Sequence, residues 1–251
     1  GGRRKALKIL RELKDFYDYN EVRDFPREHK TTKLSAYNKF GCISPREFFA
    51  GVSQALGPAH ALNRQLYWRE FYHHIAFHFP EVFGREFQQK FSNVQWDNDK
   101  KKFEAWCVGK TGFPIVDAGM RELNTTGYMH NRVRMIVASF LTKDLHIDWR
   151  WGERYFARQL IDYDPSVNNG SWQWAASTGA DGQPFFRIFN PWLQQKRFDN
   201  DCVYIKRWVR ELRDVDAAKI HKGELGAVDY PAPLVEHSQE RDEALRRFKK
   251  I

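Results

Sequence analysis

Residues 44–56, Ser44-Pro45-Arg46-Glu47-Phe48-Phe49-Ala50-Gly51-Val52-Ser53-Gln54-Ala55-Leu56, decide the fold class. Ser at N-cap, Pro at N1 and Glu at N3 make a capping box, in which side chain and backbone satisfy each other's open hydrogen-bonding groups. Phe48, Phe49, Val52 and Leu56 then supply an apolar stripe at helical spacing. The same punctuation recurs along the chain. A helix over about 60–79 is stopped by Pro80, and Asp99 caps another that Gly109 ends. Pro114 starts a fourth, carrying Ile115, Val116, Met120 and Leu123, closed by Gly127. Further helices are expected near 3–19, 130–143, 153–162, 201–213 and 236–249. Alternating apolar–polar runs flanked by Asn-Gly or Asp-Gly turns are absent, and no repeat is visible. The expected fold is all-α. Two stretches, 162–200 and 221–235, show no clean period and are expected to be irregular, the second leading to a charged terminal helix on the surface.

The chain has 251 residues, 42% of them hydrophobic and 16% aromatic, enough to bury a sizeable core. Its formal net charge is +9, which favours an anionic partner, nucleic acid before an acidic membrane surface. Three widely spaced cysteines, Cys42, Cys107 and Cys202, build neither a disulfide framework nor a metal knuckle. An intracellular compartment is the simplest setting. No run approaches the length needed to span a bilayer, and no secretory signal is present. The chain begins Gly1-Gly2-Arg3-Arg4 with no initiating methionine, as a fragment would.

Three clusters carry chemistry. Thr31-Thr32-Lys33-Leu34-Ser35, preceded by Lys30, offers hydroxyls and backbone N–H groups to a phosphate; the same residues also make an ordinary polar loop. In Tyr128-Met129-His130-Asn131-Arg132-Val133-Arg134-Met135, helical spacing puts Asn131, Arg134 and Met135 on one face. That face suits a flat polar ring beside an anion, or simply solvent. The third cluster runs from Leu160 to Trp174. Its Asp162 and Asp164 read as metal ligands, a helix cap or acceptors for a ligand, although no third acidic or histidine ligand lies at useful spacing. His73, His74 and His78 lack the nearby Glu of a metalloprotease motif and read as structural. Nine tryptophans suit base stacking or electron passage between rings as well as a core.

Taken in order, TTKLSAY (31–37), LYWREFYHH (66–74), WCVGKTGFPIVDAGMRELNTTGYMHNRVRMIVASFLTKDL (106–145), WRWGERYFARQLIDYD (149–164) and NNGSWQWAASTGADGQPFFRIFNP (168–191) resemble the flavin domain of the photolyase/cryptochrome family. The likeness is to the class I enzymes for cyclobutane pyrimidine dimers, and it extends to DYPAPLVEH (229–237). It implies one FAD-binding helical domain over 1–251, with 221–251 packed on it. The α/β antenna domain that precedes this region in the family is expected to be missing, or supplied by another chain, and the protein is otherwise expected to be a monomer. The implied activity is light-driven dimer repair in DNA, in the cytoplasm or another DNA-containing compartment. A cryptochrome-type photoreceptor is the rival within the family, and a flavin-free DNA-binding module the rival outside it.

The resemblance also implies roles. Tyr19 and Thr31, Thr32, Lys33, Leu34 and Ser35 would hold the FAD phosphates and ribityl chain. Asn131 and Arg134 would contact the adenine or isoalloxazine side, and Asp162 and Asp164 the ring edge and ribityl region. Asn168 would sit at flavin N5. Trp172, Trp149 and Trp96 match an electron chain from flavin to surface. Trp68 and Trp174 would be stacking walls for the dimer, with Asn131, Arg132 and Met135 on one side. Arg23, Lys33 and Arg187 are candidates for DNA phosphates. Two departures stand out: Gln65 replaces the family's dimer-contacting Glu, and Leu62 stands where many relatives have Trp.

Overall fold

A computed structural model of the chain describes residues 1–28, 30–180 and 187–250. Residues 181–186, inside one of the strings quoted above, lie outside that description. Among the described residues the secondary structure is helical. The α-helices are α1 (Gly2–Arg11), α2 (Tyr19–Val22), α3 (Leu34–Lys39), α4 (Pro45–Leu56), α5 (Ala61–His78), α6 (Lys100–Val108) and α7 (Pro114–Thr126). They continue as α8 (Asn131–Ser139), α9 (Trp149–Gln159), α10 (Pro165–Ala176), α11 (Pro191–Phe198), α12 (Val203–Trp208), α13 (Ala217–Lys222) and α14 (His237–Lys249). One π-helical turn, Phe140–Asp144, extends α8 without a break.

The capping box at α4 forms as the sequence predicts. Glu47 N–H donates to Ser44 Oγ at 3.1 Å, and Ser44 N–H to the Glu47 carboxylate at 2.9 Å. Asp99 caps α6 through two backbone N–H groups, and Gly109 and Gly127 close α6 and α7 with φ of +66° and +68°. Gly112 is needed for a different reason. Its φ is +79°, and a Cβ there would lie 2.4 Å from the Ala232 backbone. The 221–235 segment therefore passes in direct contact over the start of α7, with Leu234 N–H bonded to Thr111 C=O at 2.9 Å.

Two buried cores organise the molecule. The first gathers Ala6, Leu13, Tyr19, Leu34, Ile43, Phe48, Val52 and Leu62 from α1 to α5. The larger one gathers α6 to α13 around Trp106, Phe113, Ile115, Met120, Phe140, Trp149 and Trp172. Helix α10 packs on α5, α8 and α9 and so joins them. The three cysteines are unpaired.

Two expectations need correction. The 162–200 stretch is not irregular throughout, since it contains α10 and α11. Helix α10 lacks a clean apolar period because three of the six residues it buries are amides, Asn168, Asn169 and Gln173. Asn169 and Gln173 lie inside and both donate to Val82 C=O, at 2.9 and 3.0 Å, and Gln173 also reaches Arg85 C=O. Hydrogen bonds to these partners offset the desolvation of the amides, so they can be buried in place of an apolar stripe. The terminal helix is also more than a surface element: His237 and Ala244 are buried, and α14 packs on the π turn.

Candidate flavin and nucleic-acid site

A cavity of about 590 Å³ opens where the two cores meet, within the range of ligand pockets. Its lining brings together residues expected from all three sequence clusters: Thr31 to Ser35, Asn131, Arg134 and Met135, and Asp162, Asp164, Asn168, Trp172 and Trp174. Tyr19, Leu62, Gln65, Trp68, Arg23 and Arg187 line it as well.

One wall is basic and rich in hydroxyls. Lys33 takes a left-handed φ of +52°, unusual for a residue with a Cβ. That kink starts α3 and places the Lys33 ammonium 5.1 Å from the Tyr128 ring centre. The Arg134 guanidinium lies 5.3 Å from the same ring. Arg134 donates from Nε to Met129 C=O at 2.7 Å and from one terminal nitrogen to both Asp162 oxygens, at 3.1 and 3.0 Å. Ser35 Oγ donates to Asp162 at 2.7 Å. Burial alone would lower the Arg134 pKa, but Asp162, Tyr128 and Glu122 together more than offset it, so the net shift is upward. Arg134 is therefore a fixed cation beside the cavity.

Asp164 is held differently. One oxygen caps α10 at Val167 N–H, 3.1 Å away, and the other meets His73 Nε2 at 2.9 Å. Burial pushes its pKa up, but the cap, His73 and Arg69 win and hold it below the usual value. The two aspartates thus serve separate partners, and among the described residues no group of three or more His, Cys, Asp or Glu converges as a metal cage. Asn168 NH₂ donates to the Glu153 carbonyl and carboxylate, at 3.2 and 2.9 Å. This leaves the amide oxygen as its acceptor for a ligand.

The floor is aromatic. Trp172 is 2% exposed and packs edge-on against Phe156 and Trp106, with ring centres 5.0 and 6.1 Å away. At Gly152 in α9 a Cβ would come within 2.2 Å of the Trp172 ring, so that glycine is what admits it. Trp149 lies one turn earlier on α9 and is also buried. The loop after Trp96 is stitched to the residues before Trp149. Asp97 N–H donates to His146 C=O at 2.8 Å, and Asp148 N–H to Asn98 at 2.9 Å. The loop that carries Trp96 is thus tied to the residues that lead into α9 and Trp149, while Trp172 lies on α10 at the cavity. Trp149 and Trp96 themselves do not line it.

At the mouth Trp68 is 54% exposed and meets Phe71 edge-on. Arg187 lies over Trp174, 5.3 Å from the ring centre. Gln65, one turn before Trp68, turns its amide back to Ala61 C=O at 3.3 Å. Arg132 does not line the cavity itself. Its guanidinium pairs with Asp24 at 2.9 Å and sits 4.3 Å from the Phe198 ring centre. One residue on from Asn131, it is turned about 100° away around the helix.

Sequence reasoning missed Tyr128, Phe156, Leu160 and Tyr72 in the lining, and His73 and Glu153 behind it. Tyr128 carried a readable signal, since an aromatic directly after the closing glycine of α7 leads into the Asn131 cluster. His73 carried none.

The donor set fits FAD. Six cationic side chains line the cavity, Arg23, Lys33, Lys39, Arg69, Arg134 and Arg187, against two carboxylates, Asp162 and Asp164. That excess suits a pyrophosphate at one end. The Trp172–Phe156–Leu160 floor suits a flat ring system, and Arg134, Asp162 and Asn168 offer donors and acceptors for its polar edge.

Comparison with known proteins agrees. Residues 61–250 match the model of the FAD-binding domain of DNA photolyase. A deoxyribodipyrimidine photo-lyase of Vibrio cholerae is 51% identical over 257 residues, covering 96% of this chain and 55% of the relative. The archaeal photolyase from Sulfolobus tokodaii, solved with two FAD molecules, superposes with a TM-score of 0.91 at 45% identity, covering 100% of this chain and 56% of that one. A Synechocystis cryptochrome gives 0.89 at 34% identity, over 98% of this chain and 56% of its own. The chain thus spans about half the length of the curated relatives it matches.

Proposed function

The chain belongs to the DNA photolyase family, through its FAD-binding domain, and from that premise we propose that it repairs cyclobutane pyrimidine dimers in DNA by a light-driven electron cycle. The observation that carries this reading is a cavity that joins a basic, hydroxyl-rich cradle to a half-exposed tryptophan at its mouth. Thr31, Thr32, Lys33 and Ser35 would hold the FAD phosphates, Arg134 and Asp162 the polar ring edge, and Asn168 Oδ1 a proton on flavin N5. When bound, the reduced flavin supplies a photoexcited electron that opens the dimer's cyclobutane ring and is then recovered. The protein supplies position, electrostatics and water exclusion.

The lesion would enter flipped from the duplex, where weakened pairing lowers the cost. Trp68 would stack against it, a contact worth roughly 1–3 kcal/mol per base, with Trp174 as the second wall. Arg23, Lys39 and Arg187 at the cavity would grip backbone phosphates, so affinity should fall steeply with salt. Cradle and stacking walls come from one chain, so a monomer suffices. Among the described residues no helix is long and apolar enough to cross a membrane.

The decisive experiment supplies purified protein with FAD, measures visible absorption, then assays blue-light repair of a dimer-containing oligonucleotide. One FAD per chain and light-dependent loss of the dimer are expected. A colourless protein would sink the reading. A coloured one without repair would favour the cryptochrome-type photoreceptor, the rival that the Synechocystis likeness keeps in view.

Gln65 gives a finer test. It shares the face of α5 with Trp68 and lines the cavity. A glutamine keeps the donor and acceptor of the family's acid but cannot pass a proton. Gln65→Ala should weaken dark binding of dimer DNA by about 1–3 kcal/mol, as a dimer carbonyl or imide loses its partner. Gln65→Glu should bind within a few-fold and repair equally or moderately better, because burial beside the tryptophans would keep the acid partly neutral. An alanine variant equal to wild type in affinity and repair yield per photon would remove Gln65 from the substrate contact.

A further inference from the structure

The last turn of α14 is tied to the outermost tryptophan at two points. Arg247 donates to the Gln95 carbonyl at 2.9 Å and to both oxygens of Asp97, at 2.9 and 3.1 Å. These are the residues on either side of Trp96. The next residue, Phe248, meets Trp96 edge-on at 6.4 Å between ring centres and also packs on Phe91 at 5.5 Å. Trp96 is half-buried as a result, although its neighbours Gln95 and Asp97 are exposed.

The helix is anchored behind this contact along one face. His237 at its start pairs with the buried Asp144 of the π turn, 2.5 Å away, and Glu240 pairs with His146 at 2.8 Å. The buried Lys143 puts its Nζ 3.8 Å from the Phe248 ring centre while donating to Ala176 C=O, the end of the helix that carries Trp172, at 2.7 Å. Arg247 is further braced by Glu243 at 2.6 Å. These ties fix the position of Phe248 over Trp96 and do not merely close off the C-terminus. The proposed repair chemistry makes no use of them.

We propose that Phe248 and Arg247 are positioning residues for Trp96. They set how far water and soluble reductants reach the last ring of the electron chain, and hence how fast an external one-electron donor refills it. This rests on reading Trp172, Trp149 and Trp96 as that chain. In the step concerned, Trp96, having lost one electron inward, regains one from a soluble donor, which is itself oxidised by one electron. No bond is made or broken. The cover slows the refilling and protects the chain from reductants that meet it only in passing.

Two measurements test this, one needing no flavin. In the unloaded protein, the part of the fluorescence lost in Trp96→Phe reports the exposure of that ring. Phe248→Ala opens a gap beside it, and iodide quenching of that component should rise roughly three-fold. Arg247→Met should act in the same direction and serves as the second variant should Phe248→Ala unfold by circular dichroism. In the FAD-loaded protein, ferrocyanide should re-reduce flash-oxidised Trp96 several-fold faster in Phe248→Ala than in wild type, and Phe248→Leu should restore the slow rate. Unchanged quenching in folded variants would overturn the cover. Increased quenching with an unchanged ferrocyanide rate would overturn its role in refilling. If Trp96→Phe leaves light-driven flavin reduction intact, the chain reading fails, and the role falls with it even where the cover is real.

Discussion

Replacing Arg134 with Met is expected to abolish FAD binding and to cost about 3–5 kcal/mol of stability, the penalty for leaving one member of a buried ion pair alone. The Asp162 side chain is only 4% exposed and is held by Arg134 and Ser35. Without the guanidinium, one hydroxyl remains to satisfy a carboxylate cut off from water, and Met129 C=O loses its donor too.

Asp162→Asn strands the cation instead and should be destabilising by a similar mechanism. The double variant Arg134→Met/Asp162→Leu removes both charges, and well-packed apolar replacements of buried pairs are often neutral or better. It should regain most of the lost stability and still bind no flavin. Urea unfolding and FAD titration on the three variants separate the two effects. A loss below about 1 kcal/mol in Arg134→Met, the range of solvated surface pairs, would mean that water already reaches Asp162 and that the pair is no strut. Full recovery of flavin binding in the double variant would place the cofactor's polar edge elsewhere.

What was legible in the sequence was what local chemistry determines. Ser44, Asp99, Gly109, Pro114 and Gly127 act on their own backbone neighbourhood, and each bounds a helix where expected. The Asn131–Arg134–Met135 face was legible for the same reason, because helical spacing alone puts those side chains on one wall. What was hidden depends on distant partners. Asn169 and Gln173 look like loop residues until Val82 and Arg85, some ninety positions earlier, supply the carbonyls that let them be buried. The role of His73 appears only when α5 meets the N-terminus of α10 and brings it to Asp164. The pairing of Arg132 with Asp24, more than one hundred positions earlier, was hidden in the same way. The Asp164-Pro165 and Asn190-Pro191 steps did announce α10 and α11, and the polar composition that followed outweighed them.

Trp172→Phe is expected to separate two activities that share one cavity. Trp172 is buried against Phe156 and Trp106, and of the three tryptophans proposed for electron transfer, Trp172, Trp149 and Trp96, it is the one that lines the cavity. If it is the nearest donor of the proposed chain, losing its indole stops light-driven reduction of oxidised flavin, because Trp149 and Trp96 do not reach the cavity. Phenylalanine fills most of the space, so stability should drop by only about 1–3 kcal/mol. Repair by chemically pre-reduced protein should survive, since an electron passed to the lesion has no need of Trp172. Gly152→Ala approaches the same indole from outside. Its methyl carbon would fall 2.2 Å from the ring, so Trp172 must move, at an overpacking cost of about 1–3 kcal/mol. That variant keeps every tryptophan and changes only their spacing. It should slow photoreduction while leaving pre-reduced repair closer to wild type. Equal loss of both activities in Trp172→Phe would reduce the indole to packing. Photoreduction at the wild-type rate in a folded Gly152→Ala would mean that the position of Trp172 against α9 does not limit electron transfer to the flavin.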